Sequence, residues 1–224
     1  MISILVPTLN EEARIGDTLR ALQGLTGNKE ILVADGGSDD RTAQISAEMG
    51  VQVIRSGAGR GTQIRAAAAK AVGDALWIVH ADAHPEAGAI ESIQVALQNT
   101  AVVGGNFSLV FEGEHYSARQ MTWIYPYLRW LGVSYGDAGI FIRRTVYNEI
   151  GGCRPYPLFE DLDLIRRMKR HGRFIHLQAR IFTSARRFAG NQYVKVWAIW
   201  FTLQLLYWAG VSPARLARWY RYAR

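Results

Sequence analysis

A chain of 224 residues, 49% of them hydrophobic, is long enough to bury one substantial core and too apolar to be a disordered segment. Its one cysteine, Cys153, excludes an intramolecular disulfide and a cysteine-based zinc site. The net charge of +7 is unevenly spread: residues 1–159 carry 13 Lys and Arg against 16 Asp and Glu, whereas residues 160–224 carry 13 against 3. Such asymmetry points to a polyanionic partner, a diphosphate or a phospholipid surface; no recognition motif accompanies the charge, so nucleic acid is not expected.

The opening run ISILVP lacks a basic flank and is too short for a signal peptide, so residues 2–6 read as a first strand and a cytoplasmic location is the expectation. EILVA (30–34), VQVIR (51–55) and ALWIVH (75–80) follow as further strands buried on both faces. Between them, residues 12–25, 41–50 and 61–73 have helical apolar spacing, and the last two run into Gly50 and Gly73 as C-terminal caps. Strict alternation of strand and helix implies right-handed crossovers and a mostly parallel sheet.

Ligands of such sheets bind beyond the carboxyl ends of the strands. The residues there are Thr8, Asn10 and Glu11 after the first strand, Asp35 after the second, SGAGRGTQ with Arg60 after the third, and Asp82 after the fourth. The glycines at 57, 59 and 61 do not match G-x-G-x-x-G and do not follow the first strand, which excludes a nicotinamide-dinucleotide fingerprint. A glycine turn that presents Arg60 to phosphate is one reading of this loop, and a simple chain reversal is the other.

In WIVHADAHPE (77–86), Asp82 is suited to hold Mg²⁺ or Mn²⁺ and through it a diphosphate, whereas His80 taken alone reads as a satisfied core histidine. A structural alternative has Ala83 or His84 leading into a helix with Pro85 at its first position.

Beyond this point the alternation is lost. NFSLVFEG (106–113) and GIFIRR (139–144) read as strands, 116–131 as a helix interrupted near Pro126, and RFIHLQ and RIFTS as two short strands, so an antiparallel element is expected to join the sheet. In LFEDLDLIRRMKR (158–170), Glu160 and Asp161 open a helix whose apolar stripe is Leu162, Ile165 and Met168. Acids in a first turn complement the helix dipole, and Asp163 and Arg167 are spaced as an i,i+4 pair. Residues 196–214 are uncharged and rich in Trp, Tyr and Leu but interrupted by polar residues, with arginines 215, 218, 221 and 224 following. They are expected to form helices packed on the domain or lying at a bilayer surface, not a span.

The ordered set VPTLNEE (6–12), VADGGSDD (33–40), HADAHPE (80–86), GDAGIFIRR (136–144), EIGGC (149–153) and FEDLDLIRR (159–167) resembles the family-2 glycosyltransferases of GT-A fold. With TSARRF (183–188) and GVSPARLARWYR (210–221), it is particularly similar to the short bacterial branch associated with radical SAM and selenium-domain genes, some of them assigned to arsenosugar biosynthesis. The resemblance implies an α/β, GT-A-like, Rossmann-like mixed sheet flanked by helices, occupying residues 1–190, with a C-terminal helical extension at 191–224. It implies a nucleoside diphosphate sugar donor, an acceptor hydroxyl on a small molecule or lipid, and assistance by Mn²⁺ or Mg²⁺. Asp161 matches the catalytic base, with Glu160 beside it. An inverting transfer needs such a carboxylate to take the acceptor proton.

The nucleotide-sugar-binding candidates are Thr8, Asn10, Glu11, Asp35, Arg60, Arg65, Asp82, Asp137, Arg186 and Arg187, the last two expected to grip the diphosphate beneath a closing AGNQ loop. The metal candidates are Asp82, His80 and His84. Two positions depart from the family pattern: His80 stands where the metal motif has its first aspartate, and Gly36 where the nucleoside motif has a second. Two rival expectations follow: a polyprenyl-phosphate sugar synthase at the inner face of the membrane, and a nucleotide-sugar-binding protein impaired in catalysis.

Overall fold

A computed structural model describes residues 1–114, 116–130, 135–185 and 193–223. The first half follows the alternating pattern: β1 (Ile2–Thr8), α1 (Ile15–Gln23), β2 (Lys29–Asp35), α2 (Thr42–Glu48), β3 (Gln52–Arg55), α3 (Arg60–Ala68) and β4 (Ala75–Ile78). β1 lies between β2 and β4, parallel to both, and β2 is parallel to β3. All seven residues of β1 are buried, because helices cover the sheet on both sides. Its side chains alternate between two cores. Ile4 and Val6 pack with Ile15 and Leu19 of α1, whereas Leu5 packs with Ile64 and Ala67 of α3.

Two expectations need correction here. β3 is half-exposed, not buried on both faces, because it is the edge strand of the sheet. Gly50 does follow α2 with φ of +73° as a cap, but α3 ends at Ala68, so Gly73 caps nothing. Gly73 instead lies against β1, where a Cβ would stand 2.6 Å from Ser3 Oγ. Its N–H donates to that hydroxyl at 2.8 Å.

The second half contains β5 (Ala83–Pro85), α4 (Ala89–Gln98), β6 (Val102–Glu112), α5 (Tyr116–Trp130), a 3₁₀ turn (Gly136–Ala138), β7 (Ile140–Arg143), α6 (Arg144–Glu149), α7 (Glu160–His171), β8 (Arg173–Ser184), α8 (Tyr193–Trp208) and α9 (Pro213–Ala223). The described strands form one sheet of order β3-β2-β1-β4-β7-β6-β8-β5. β7 is antiparallel to both β4 and β6, so the expected antiparallel element is central. Trp77 stacks on Phe107 at 5.0 Å between ring centroids, and Phe107 meets Phe141 edge-on at 6.1 Å, locking β4, β6 and β7 together.

Ala83 and His84 do not lead into a helix. With Pro85 they pair antiparallel to β8 at the sheet edge, where a missing N–H is tolerated. The two short strands expected after α7 are one strand, β8, whose pairing with β6 is broken by a register shift between Asn106 and Ser108. α5 runs through Pro126 without interruption.

In α7 the buried apolar residues are Leu164, Ile165 and Met168, while Leu162 packs toward the C-terminal helices. Those helices dock through a separate cluster in which Leu203, Leu216 and Ala217 meet Leu158 and Phe159. Pro213 opens α9, the position where a missing N–H costs least. Among the described residues, no helix is long and apolar enough to cross a membrane.

Candidate active site

Because β1 to β4 are parallel, their carboxyl ends share one edge, and the loops that follow are stitched to one another. Asp35 is buried and accepts the N–H groups of Gly37 and Ser38 at 3.1 and 3.0 Å. Asn10, in the left-handed region with φ of +54°, accepts Asp39 N–H at 2.9 Å, and Glu11 N–H donates to Thr42 Oγ1 at 2.8 Å. Buried Gln63 donates its amide to the carbonyls of Thr8 and Ala34 at 2.5 and 2.9 Å. That amide explains Gly36: a Cβ there would lie 3.0 Å from Gln63 Nε2, so a second aspartate would displace the bridge between β1 and β2. Thr8, Asn10, Glu11 and Asp35 thus form one loop cluster, as their positions in the sequence require.

Next to this cluster is a cavity of about 100 Å³ lined by Arg60, His80, Asp82, Asp137 and Asp161, with an apolar wall opposite. β4 ends at Ile78, two residues earlier than the sequence pattern implies, so His80 and Asp82 occupy the turn beyond it. The two aspartates singled out from sequence, 79 positions apart in the chain, line the same cavity. Asp161 reaches it from the first turn of α7. One carboxylate oxygen accepts Gly136 N–H at 2.6 Å and the other accepts Leu162 N–H at 2.8 Å. The residue before α7, Phe159, is buried and holds φ at +63°, an uncommon conformation for a bulky side chain.

Arg60, the first residue of α3, is the centre of the charge arrangement. Its Nε is 3.0 Å from Glu160 Oε1 and its Nη1 donates to His80 Nε2 at 3.2 Å. A guanidinium is a donor only, so the His80 proton stands on Nδ1, which is 2.7 Å from Asp137 Oδ1. Burial works against the Arg60 charge, but Glu160, Asp161, Asp137 and Asp82 around it more than reverse this and hold the guanidinium firmly protonated. Glu160 is 2% exposed; burial raises its carboxyl above the ordinary value and Arg60 opposes that rise. Glu160 therefore lies behind the cavity as the partner of Arg60, while Asp161 faces in.

Both ring nitrogens of His80 are engaged, and His84 is at the sheet edge, stacked on Phe182 with Nε2 3.6 Å from Glu112. Among the described residues no group of three or more His, Cys, Asp and Glu side chains converges to hold a metal. Of the three metal candidates, Asp82 remains as the one that offers a carboxylate to the cavity. That suits Mg²⁺ or Mn²⁺, which take one or two carboxylates and complete their shells with phosphate oxygens and water.

Arg65 is turned away, donating to the carbonyls of Gly151 and Cys153 at 3.2 and 3.4 Å, where it ties α3 to the loop after α6. Arg186, Arg187 and the AGNQ stretch lie outside the described residues. The expected Asp163–Arg167 pair forms at 2.7 Å, and Arg154 joins it at 3.2 Å. Sequence reasoning gave no role to Tyr135, Gly136 or Gln63. Tyr135 lines the cavity, and burial with the charges of Asp161 and Asp137 pushes its phenol up to about 12. Its place next to the GDAGIF stretch was the available signal.

The family model described as Glycosyl transferase family 2 matches residues 3–159. The chain belongs to glycosyl transferase family 2. This family-2 chain is 26% identical over 225 aligned positions to the probable glycosyltransferase YdaM of Bacillus subtilis (strain 168), covering 89% of the chain and 52% of that protein. It is 42% identical over 52 residues to the 4,4'-diaponeurosporenoate glycosyltransferase of Staphylococcus haemolyticus, covering 23% and 14%. The chain thus spans about half the length of YdaM or less of these relatives.

In fold, the family-2 chain is similar to glucosyl-3-phosphoglycerate synthase of Mycobacterium tuberculosis in complex with Mn²⁺, UDP and glucosyl-3-phosphoglycerate, with TM-score 0.58 and 18% identity over 80% of this chain and 70% of that one. It is also similar to S. aureus TarS in complex with UDP-GlcNAc, with TM-score 0.63 and 16% identity over 82% and 58%. At these identities the likeness concerns the fold, which is the GT-A arrangement expected from the sequence.

Proposed function

We propose that this family-2 chain transfers a sugar, with inversion, from a nucleoside diphosphate sugar to an acceptor hydroxyl, and that a divalent metal assists. The observation that carries the reading is the single cavity shared by Asp82 and Asp161. The nucleoside lies along Thr8, Glu11 and Asp35, and the diphosphate against Arg60 and Asp82. Asp161, oriented by two backbone N–H groups, takes the proton of the acceptor hydroxyl as that oxygen bonds the anomeric carbon. Asp82 would hold the metal, which when bound neutralises charge on the departing diphosphate. Arg60 adds a fixed positive charge on the same side, positioned by Glu160 and His80. Complexes of the mycobacterial synthase with Mn²⁺ and UDP support the donor and metal assignments.

Within the family, the resemblance of TSARRF and GVSPARLARWYR supports the short branch associated with radical SAM and selenium-domain genes. A second reading keeps the chemistry and moves it to a membrane surface, with a lipid-linked acceptor. Exposed Trp123, Trp130, Phe201, Trp208 and Trp219, with exposed Arg215 and Arg218 on α9, favour it. Sedimentation with anionic vesicles tests that reading: retention in the supernatant at low salt excludes it. The primary reading is tested by thermal-shift titration of nucleoside diphosphate sugars with and without Mn²⁺, followed by release of nucleoside diphosphate from the donor that binds. Slow release without any acceptor also separates an enzyme from a binding protein that has lost catalysis.

A further inference from the structure

The sheet order separates two halves of the site. β6 lies on the far side of β4 and β7 from β1, β2 and β3, so the wall contributed by β6, α5 and α8 stands across Asp82 from the nucleoside loops. That wall consists of Leu109 and Phe111 of β6, Met121, Tyr125 and Leu128 of α5, and Trp200 of α8. Arg60 is the sole Lys or Arg among the described lining residues, and two of its donors are engaged by Glu160 and His80. Facing it are Asp82, Asp137 and Asp161.

We infer that this wall is the acceptor subsite and that its substrate class is an uncharged alcohol or phenol with an apolar, ring-sized body. The inference rests on the transferase reading above. If Asp161 receives the acceptor proton, the rest of the acceptor occupies the volume beside Asp161, and that volume is bounded mostly by aliphatic and aromatic side chains, with the hydroxyls of Tyr135, Thr183 and Ser184 as the exceptions. A polyhydroxylated body would lose its water there and regain few partners, because hydroxyls are a small part of that lining. Among the described lining residues, a phosphorylated or carboxylated acceptor would meet three carboxylates and only Arg60 as a cation, for which it would compete with the donor diphosphate. A neutral apolar body has neither cost and gains by burial.

In the transfer, the acceptor O–H gives its proton to Asp161 while its oxygen bonds the anomeric carbon. The bond from that carbon to the diphosphate breaks, and the nucleoside diphosphate leaves with the electron pair.

The experiment has two stages. Wild-type protein is first titrated with the donor found by thermal shift and assayed for nucleoside diphosphate release into water. Failure at this stage overturns the transferase reading and with it the acceptor role of the wall, a result distinct from failure at the second stage, where the donor is turned over but the apolar acceptors are not preferred. The second stage compares 2-naphthol and cyclohexylmethanol with glucose and 3-phosphoglycerate, reading release and glycosylated product by mass spectrometry, and measures 2-naphthol binding directly by fluorescence. The expected result is release about tenfold or more above the water rate with the apolar acceptors only, and 2-naphthol affinity about tenfold weaker in Leu128→Arg with donor affinity unchanged. Leu128→Met, which conserves volume, retains binding. Preference for glucose or 3-phosphoglycerate, or 2-naphthol binding that is absent or indifferent to Leu128→Arg while Leu128→Met folds normally, overturns the inference.

Discussion

The N–H of Gly136 donates to Asp161 Oδ2 at 2.6 Å, and a Cβ on residue 136 would stand 3.1 Å from that same oxygen and 3.3 Å from His80 Nε2. A turn before β7 thereby aims a carboxylate on α7, and only a residue without a side chain brings its amide so close.

Gly136→Ala tests this contact. A methyl group at that distance moves the Asp161 carboxylate by some tenths of an ångström, so kcat should fall by about 10² with donor KM nearly unchanged. The melting temperature should shift little, because the turn borders a cavity. Steady-state kinetics beside a thermal melt separate the two effects, and an unchanged kcat would deny Gly136 a positioning role.

Arg60→Ala leaves Glu160 buried without its cation and should destabilise the fold by about 1–3 kcal/mol near pH 8, less than for a fully buried pair because the Arg60 side chain is 35% exposed. The pH dependence has a definite sign. Burial raises the Glu160 carboxyl in the folded state, so the stability linked to that proton is complete below the ordinary carboxylate range and is lost as pH rises through the folded value. Removing Arg60 raises that value further. The stability gap between wild type and variant should therefore narrow from pH 8 to pH 5 in denaturant titrations.

His176 behaves oppositely. Burial, then the charges of Arg129 and Lys169, lowers its imidazole from 6.5 to about 4, and its Nδ1 is 2.5 Å from Asn106 Oδ1. The unfolded chain takes up a proton near pH 6.5 that the folded chain refuses, so this contribution to stability is present above pH 6.5 and is lost as pH falls toward 4. His176→Gln should lose less stability than wild type between pH 7.5 and pH 5 in melts across that range.

Asp82→Asn should weaken nucleoside diphosphate binding about tenfold or more in Mn²⁺ and change it little in metal-free buffer, because an amide is a poorer ligand for a hard cation than a carboxylate. Calorimetric titration in both buffers reads the difference. Equal weakening in both would assign Asp82 to a direct contact with the donor.

What the sequence made legible depended on how many neighbours each residue's role involves. β1, β2 and β4 were readable as continuous apolar runs because helices cover both of their faces, whereas VQVIR matched that pattern although β3 is an edge. α6 was not anticipated, the helix offered as an alternative from Pro85 begins only at Ala89 as α4, and β8 read as two strands because its register shift looks like a turn locally. The convergence of Asp82 and Asp161 was legible because a parallel sheet brings its carboxyl ends to one edge and the motif order placed the rest. The state of His80 was not. From sequence it was a metal candidate; its hydrogen bonds depend on Arg60 and Asp137, 20 and 57 residues away, which no local pattern connects. The division of labour in the acid pair was equally hidden, because helix geometry alone turns Glu160 inward to Arg60 and Asp161 toward the cavity.

The central claim, that Asp161 is the group receiving the acceptor proton, is tested most directly by Asp161→Asn with donor affinity and turnover measured side by side. The account predicts donor affinity within about twofold of wild type and a kcat lower by about 10²–10⁴. Turnover close to that of wild type in a variant that binds donor normally would contradict it.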